Sequence, residues 1–120
     1  RLGRPCIYIG EDLNHMYFVP LANLNSKIKE KQFVIAPKAK NNLTKKSRIR
    51  ASELITRPVA FYELYGRLDH FDIQKLIESL RFFYKDDNPN FKLINHLIDK
   101  YINYVDLECN VKDKAYDKHK

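Results

Sequence analysis

Tryptophan is absent from this chain, methionine occurs once, and there are only three glycines and two cysteines. The glycines stand at Gly3, Gly10 and Gly66, too scattered for a loop whose backbone N–H groups cradle a nucleotide's phosphates. Neither a GxSxG elbow nor a kinase signature occurs, which argues against nucleotide-driven enzymes and serine hydrolases. Cys6 and Cys109 lie at opposite ends and do not make a secreted disulfide framework. Cys6 falls in an apolar run and reads as a small buried hydrophobe. The apolar runs are short, among them Ile7 to Ile9 and Tyr17 to Ala22, the latter with Pro20 inside. Both fall far short of the roughly 18 to 20 residues of a transmembrane helix. No basic start leads into an apolar stretch, so the expectation is a cytoplasmic protein with no membrane partner. His15, His70, His96 and His119 are scattered without ligand spacing, and neither a metal nor a cofactor is expected.

What is present is an ordinary globular composition, 44% hydrophobic and 31% charged, over 120 residues. That length suits one domain with one modest core. The net charge of +7 is concentrated. Between Lys27 and Arg50 nine cations face one acid, Glu30, so this segment carries +8 and the rest is nearly neutral. Such asymmetry attracts polyanions, whose neutralised phosphates release counterions. A solvated Lys-rich face is the plain alternative.

The first half reads as strands. Pro5 to Ile9 and Met16 to Leu21 flank a turn-forming stretch, Glu11 to His15, and predict a hairpin. Gln32 to Ala36 predicts a third strand, and Lys38 to Lys46 a polar loop. Ser47 to Ile55 predicts one strand with an irregularity near Glu53, and Val59 to Tyr65 a last strand ending at Gly66. The second half changes period. Asp69 is a helix cap, and Ile73, Leu76, Ile77, Leu80 and Phe83 mark an amphipathic helix over 69–84. Pro89 suits the first position of another, over 89–107, and 112–120 is expected to be a flexible tail. Strands followed by helices indicate an α+β domain or a small barrel with appended helices.

A basic surface rich in hydroxyls and amides is nearly all that ribonuclease chemistry needs. RNA supplies its own nucleophile, the 2′-hydroxyl, and the protein must orient it, move two protons and stabilise the phosphorane's charge. Arginine suits the last task. His15, in the hairpin turn, is the candidate proton carrier among the histidines.

Four pieces in order, GRPCIYIGED (from Gly3), MYFVPLANLNSK, KNNLTKKSRIRASELIT and ELYGRLDHFDIQKLIESLRFFY (to Tyr84), resemble PemK/MazF-like toxins. The resemblance implies an SH3-like β-barrel over 3–66 followed by two C-terminal helices, usually dimeric. It also implies a metal-independent endoribonuclease that cleaves single-stranded RNA and is neutralised by a cognate antitoxin, protein or RNA. By position, Arg4 matches the family's catalytic arginine. The catalytic threonine falls at Ala22-Asn23, where Ala22 has no hydroxyl. The related RNA-inhibited toxins of the ToxN kind use a Thr-Ser-x-Lys loop, and against that pattern Ser26 and Lys27 supply the hydroxyl and cation. Ser26 has the alternative role of a turn former. Asn23 and Asn25 either bond a base edge or a phosphate or shape the turn, and Lys29, Lys31, Lys45, Lys46 and Arg48 are candidate RNA contacts. Two other readings stand beside this one. The first is a non-catalytic nucleic-acid-binding barrel. The second is a protein-interaction module, suggested by the extra helix and by Tyr62, Tyr65, Tyr101 and Tyr104.

Overall fold

The alternation that pauses at Glu11 and resumes at His15 folds into a hairpin of β1 (Cys6–Glu11) and β2 (His15–Asn23). The computed structural model describes residues 5–25, 27, 31–59, 62–102 and 110–115, of which 62–65 and 110–115 as backbone alone. Asp12 builds the turn: its Oδ1 accepts from the N–H of Asn14 and His15, at 2.9 and 2.8 Å. Its Oδ2 accepts from the Tyr17 hydroxyl at 2.6 Å. A short bulge at Ile9 lets Gly10 take φ +137°.

β2 is the strand on which the fold turns. One edge pairs with β1; the other carries β5 (Ile55–Pro58) along His15 to Phe18 and β4 (Ser47–Ile49) along Leu21 to Asn23. Pro20, with no N–H to donate to a ladder, stands at the changeover, and its carbonyl accepts from Arg50 N–H at 2.9 Å. The single strand expected over Ser47 to Ile55 is therefore two. The irregularity near Glu53 is a corner, closed by Glu53 N–H on Arg50 carbonyl at 3.0 Å, that carries the chain from one half of β2 to the other.

Beyond β4 lies β3 (Val34–Ile35), and beyond β1 lie β7 (Asn110–Ala115) and then β6 (Tyr62–Arg67). All of these pairings are antiparallel. The molecule is thus an α+β fold with a curled antiparallel sheet and two helices. Two expectations change here. Gly66 lies inside β6 rather than ending it, because pairing with β7 continues through Gly66 and Arg67, and a side chain at Gly66 would collide with the Asn41 backbone. The expected tail contributes β7, whose backbone hydrogen bonds fill the gap between β1 and β6; residues 116–120 lie outside the described residues.

α1 (His70–Phe83) starts where Asp69 accepts from Asp72 N–H at 2.9 Å, as the cap pattern predicts. α2 (Phe91–Leu97) begins after Asn90, so Pro89 sits just outside it rather than at its first position. It passes into a π-helical turn, Ile98–Ile102, and 103–107 fall outside the described residues. Ile94, Leu97, Ile98 and Ile102 are buried against Ile7 and Ile9 of β1 in one core with Leu76 and Leu80 of α1. The second helix therefore covers the sheet. Tyr101 lies against Gly10, where a Cβ would stand 2.6 Å from its ring, so the glycine is required by contact as well as by φ.

Candidate nucleic-acid cleft

Where β2 exchanges β5 for β4, the sheet opens a cleft of about 420 Å³. Its walls are Cys6, Pro20, Leu21, Ala22, Asn23, Leu24 and Asn25 on one side and Arg48, Arg50, Glu53 and Ile55 on the other. The pairing accounts for this assembly. Ala22 stands directly across from Arg48, and Asn23 across from Ser47. Arg48 Nε donates to the Asn23 carbonyl at 3.1 Å, which fixes its side chain on the rim. A guanidinium offers five donors, so one such bond leaves it able to grip phosphoryl oxygens. Arg50 Nη2 meets Glu53 Oε1 at 2.8 Å across the corner, both side chains about half exposed.

The loop after β2 is shaped by Asn25, whose Oδ1 accepts from Lys27 N–H at 2.9 Å. Its carbonyl accepts from Gln32 Nε2 at 3.1 Å. Asn25 therefore shapes the turn, and it also lines the cleft. Lys27 is exposed on this loop. Lys45 and Lys46 are exposed on the approach to β4, outside the cleft wall but next to Arg48 in the chain. Lys31 is exposed outside the cleft wall, its ammonium 5.0 Å from the Phe33 ring centroid. Arg4, Ser26 and Lys29 lie outside the described residues.

His15 does not belong to this site. It begins β2 while Asn23 ends it, a separation of roughly 26 Å at about 3.3 Å per residue, and it stands exposed with Nδ1 3.9 Å from Asp12 Oδ1. That pairing ties His15 to the turn. Tyr101, advanced as an interface residue, is half-buried against Gly10. Tyr104 and the side chains of Tyr62 and Tyr65 lie outside the described residues.

The sequence reading missed Cys6, Arg50 and Glu53 as cleft residues. Burial pushes the Cys6 thiol up, against the pull of Arg57, so it stays protonated near neutrality. Among the described wall residues no side chain bears a hydroxyl, and Glu53 is the one carboxylate. The visible signal for the Arg50–Glu53 pair was the break in alternation between Ala51 and Ile55, since opposite charges three apart at a chain reversal face one another.

Not every lysine of the basic segment is available to a ligand. Lys38 Nζ bonds Asp69 Oδ2 at 2.7 Å and Asp72 Oδ1 at 3.2 Å, pinning the 38–46 loop to the start of α1. Asn41, fully buried, organises that loop. It donates from Nδ2 to the Ala36 carbonyl and accepts on Oδ1 from the N–H of Lys38 and Leu43.

Among the described residues no helix is long and apolar enough to cross a membrane, and no group of His, Cys, Asp and Glu has the form of a metal site. Comparison with family models, curated proteins and solved structures yields no match.

Proposed function

We propose that this chain binds single-stranded RNA in the β2–β4 cleft and cleaves it without a metal, as an endoribonuclease of the toxin–antitoxin kind on an SH3-like barrel. The observation that carries this reading is the meeting of the Ala22–Asn25 stretch, which holds the position of the family's catalytic threonine, with Arg48 and Arg50 in one open cleft. A phosphodiester seated there would lie between two guanidiniums, which stay charged at all working pH values and stabilise the phosphorane. Among the described wall residues the Glu53 carboxylate is the group able to accept a proton, because amides do not take one up and the Cys6 thiol stays protonated. It accepts the 2′-hydroxyl proton as the 2′-oxygen bonds to phosphorus. The bond from phosphorus to the 5′-oxygen then breaks, and the departing oxygen takes a proton from water in the open cleft. The products are a 2′,3′-cyclic phosphate and a 5′-hydroxyl. A cytoplasmic location, a homodimer and a cognate antitoxin belong to this proposal through the resemblance.

A second reading, a non-catalytic RNA-binding barrel, is favoured by one feature: Ala22 lines the cleft at the position of the family's threonine and brings no hydroxyl. The two separate in a single assay. The purified protein is incubated with mixed single-stranded RNA in EDTA, and binding and product ends are both measured. Cyclic-phosphate ends support the nuclease. Tight binding with intact RNA at high protein concentration leaves the second reading, and absence of binding removes both.

A further inference from the structure

Outside the cleft, along the edge strand β3, lies a cluster of side chains that the chemistry above does not use. Phe82 is 42% exposed although it is a large apolar residue near the end of α1. It stands off the stripe of Ile73, Leu76, Ile77 and Leu80 that faces the core. Its ring is held from within, 5.7 Å from the Phe33 ring and 5.1 Å, edge-on, from the Phe83 ring. One ammonium lies over each ring, Lys85 at 5.4 Å from the Phe82 centroid and Lys31 at 5.0 Å from the Phe33 centroid. A base that stacks on Phe82 therefore takes the place of the Lys85 ammonium and leaves it free to meet a phosphate. The segment that carries Lys31 and Phe33 is tied to residues of the cleft and their neighbours. Gln32, between Lys31 and Phe33, donates to the carbonyl of Asn25, a cleft residue, and the Phe33 carbonyl accepts from Ile49 N–H, next to Arg48, at 2.8 Å.

We propose that Phe82 is a stacking platform for a base of the same single-stranded RNA whose phosphodiester occupies the cleft, with Lys31 and Lys85 meeting the phosphates beside that base. The proposal rests on the RNA reading and adds how the strand leaves the site. An aromatic face accepts any base, because every base presents a π-surface, and flanking cations neutralise the backbone that carries it. Single-stranded RNA is the occupant whose alternation of flat rings and negative charges matches an exposed ring that already attracts one ammonium, with a second on the ring behind it. Phe71, 74% exposed, has His70 as its one ring neighbour among the described residues and no described lysine over its face, and is not part of the platform.

Because the chain has no tryptophan, Phe82→Trp introduces one reporter on the platform. With a single-stranded oligoribonucleotide of about ten residues, a length within the usual site sizes of such surfaces, this variant is expected to bind as wild type does. Its emission is expected to be quenched as the RNA stacks. Phe82→Leu, which keeps apolar volume but no ring, is expected to weaken binding about tenfold with an unchanged salt slope. Lys31→Gln with Lys85→Gln is expected to make the log–log salt slope shallower by about 1.4, roughly 0.7 for each contact to a single strand. Circular dichroism establishes that each variant is folded. Unaltered Trp emission while RNA saturates the protein, or equal affinity for folded Phe82→Leu and wild type, overturns the platform and leaves the cleft reading standing. Failure of wild type to bind RNA removes both, and an acidic peptide that binds in its place marks the face as a protein-docking surface.

Discussion

Glu53 is a surface glutamate by composition and a cleft residue by position, and the difference comes from one corner of the chain. General-base assistance contributes about 10²- to 10⁴-fold to a rate, so Glu53→Gln is expected to lower the single-turnover cleavage rate at least about 100-fold while leaving the RNA dissociation constant within a few-fold. A cleavage rate equal to wild type would remove Glu53 from the chemistry. Gly10 makes a different demand. Its φ of +137° and its closeness to Tyr101 and Leu97 leave no room for a side chain. Gly10→Ala is expected to lose about 2 kcal/mol or more in urea denaturation, and an unchanged midpoint would show that the π-helical turn yields easily. These two residues also mark what the chain allowed to be read in advance. The asparagines and Arg48 were legible because they lie on or beside an alternating strand. Glu53 was not, because its meaning depends on which half of β2 its neighbours pair with. His15 was singled out by residue type alone, and its place at the far end of β2 from Asn23 follows from a strand length that residue type does not carry.

At the level of elements, the hairpin and α1 were readable because each is specified locally, by Asp12 in the turn and by Asp69 at the cap. What was not readable was non-local. The division of Ser47 to Ile55 into β4 and β5 depends on both halves finding the same edge of β2, and β7 depends on a gap between β1 and β6 that no local pattern reveals. The start of α1 carries an electrostatic consequence of such long-range pairing. Burial pushes the Asp72 carboxyl above its usual range, and the bond from Lys38 does not offset this. Asp72 Oδ2 is buried with no hydrogen-bond donor among the described residues. Asp69 experiences burial too, but Lys38 and the Asp72 N–H together hold it below that range. As pH falls from neutrality, the folded chain takes up the Asp72 proton before the unfolded chain does, so stability rises. It falls again once the pH drops through the lowered value of Asp69, where protonation breaks the cap and the Lys38 pair. Thermal unfolding followed across the acid range is therefore expected to pass through a maximum between these two values. Asp72→Asn is expected to flatten the rise on its neutral side. A midpoint that only declines on acidification in wild type would show that burial does not dominate at Asp72.

For the whole molecule, the fold sorts the concentrated charge into different uses. Lys38 serves as a brace to α1, Arg50 is paired with Glu53, Arg48 is fixed on the cleft rim, and Lys45 and Lys46 stay exposed on the loop that leads to it. Exposed cations at the mouth of a cleft act mainly on encounter, since their field reaches about a Debye length, roughly 8 Å at physiological salt. Lys45→Gln combined with Lys46→Gln should therefore slow association with single-stranded RNA and make the salt slope shallower by about 1.4. It should leave the scissile position and the cleavage rate at saturating protein as they were, because neither side chain lines the cleft. Stopped-flow association at several salt concentrations, paired with single-turnover cleavage, separates the two effects. A double variant that associates normally but cleaves slowly would place these lysines in the reacting complex rather than at its entrance. A wild-type slope near zero would mean that no phosphates are neutralised, and a basic cleft would then have no part in binding RNA.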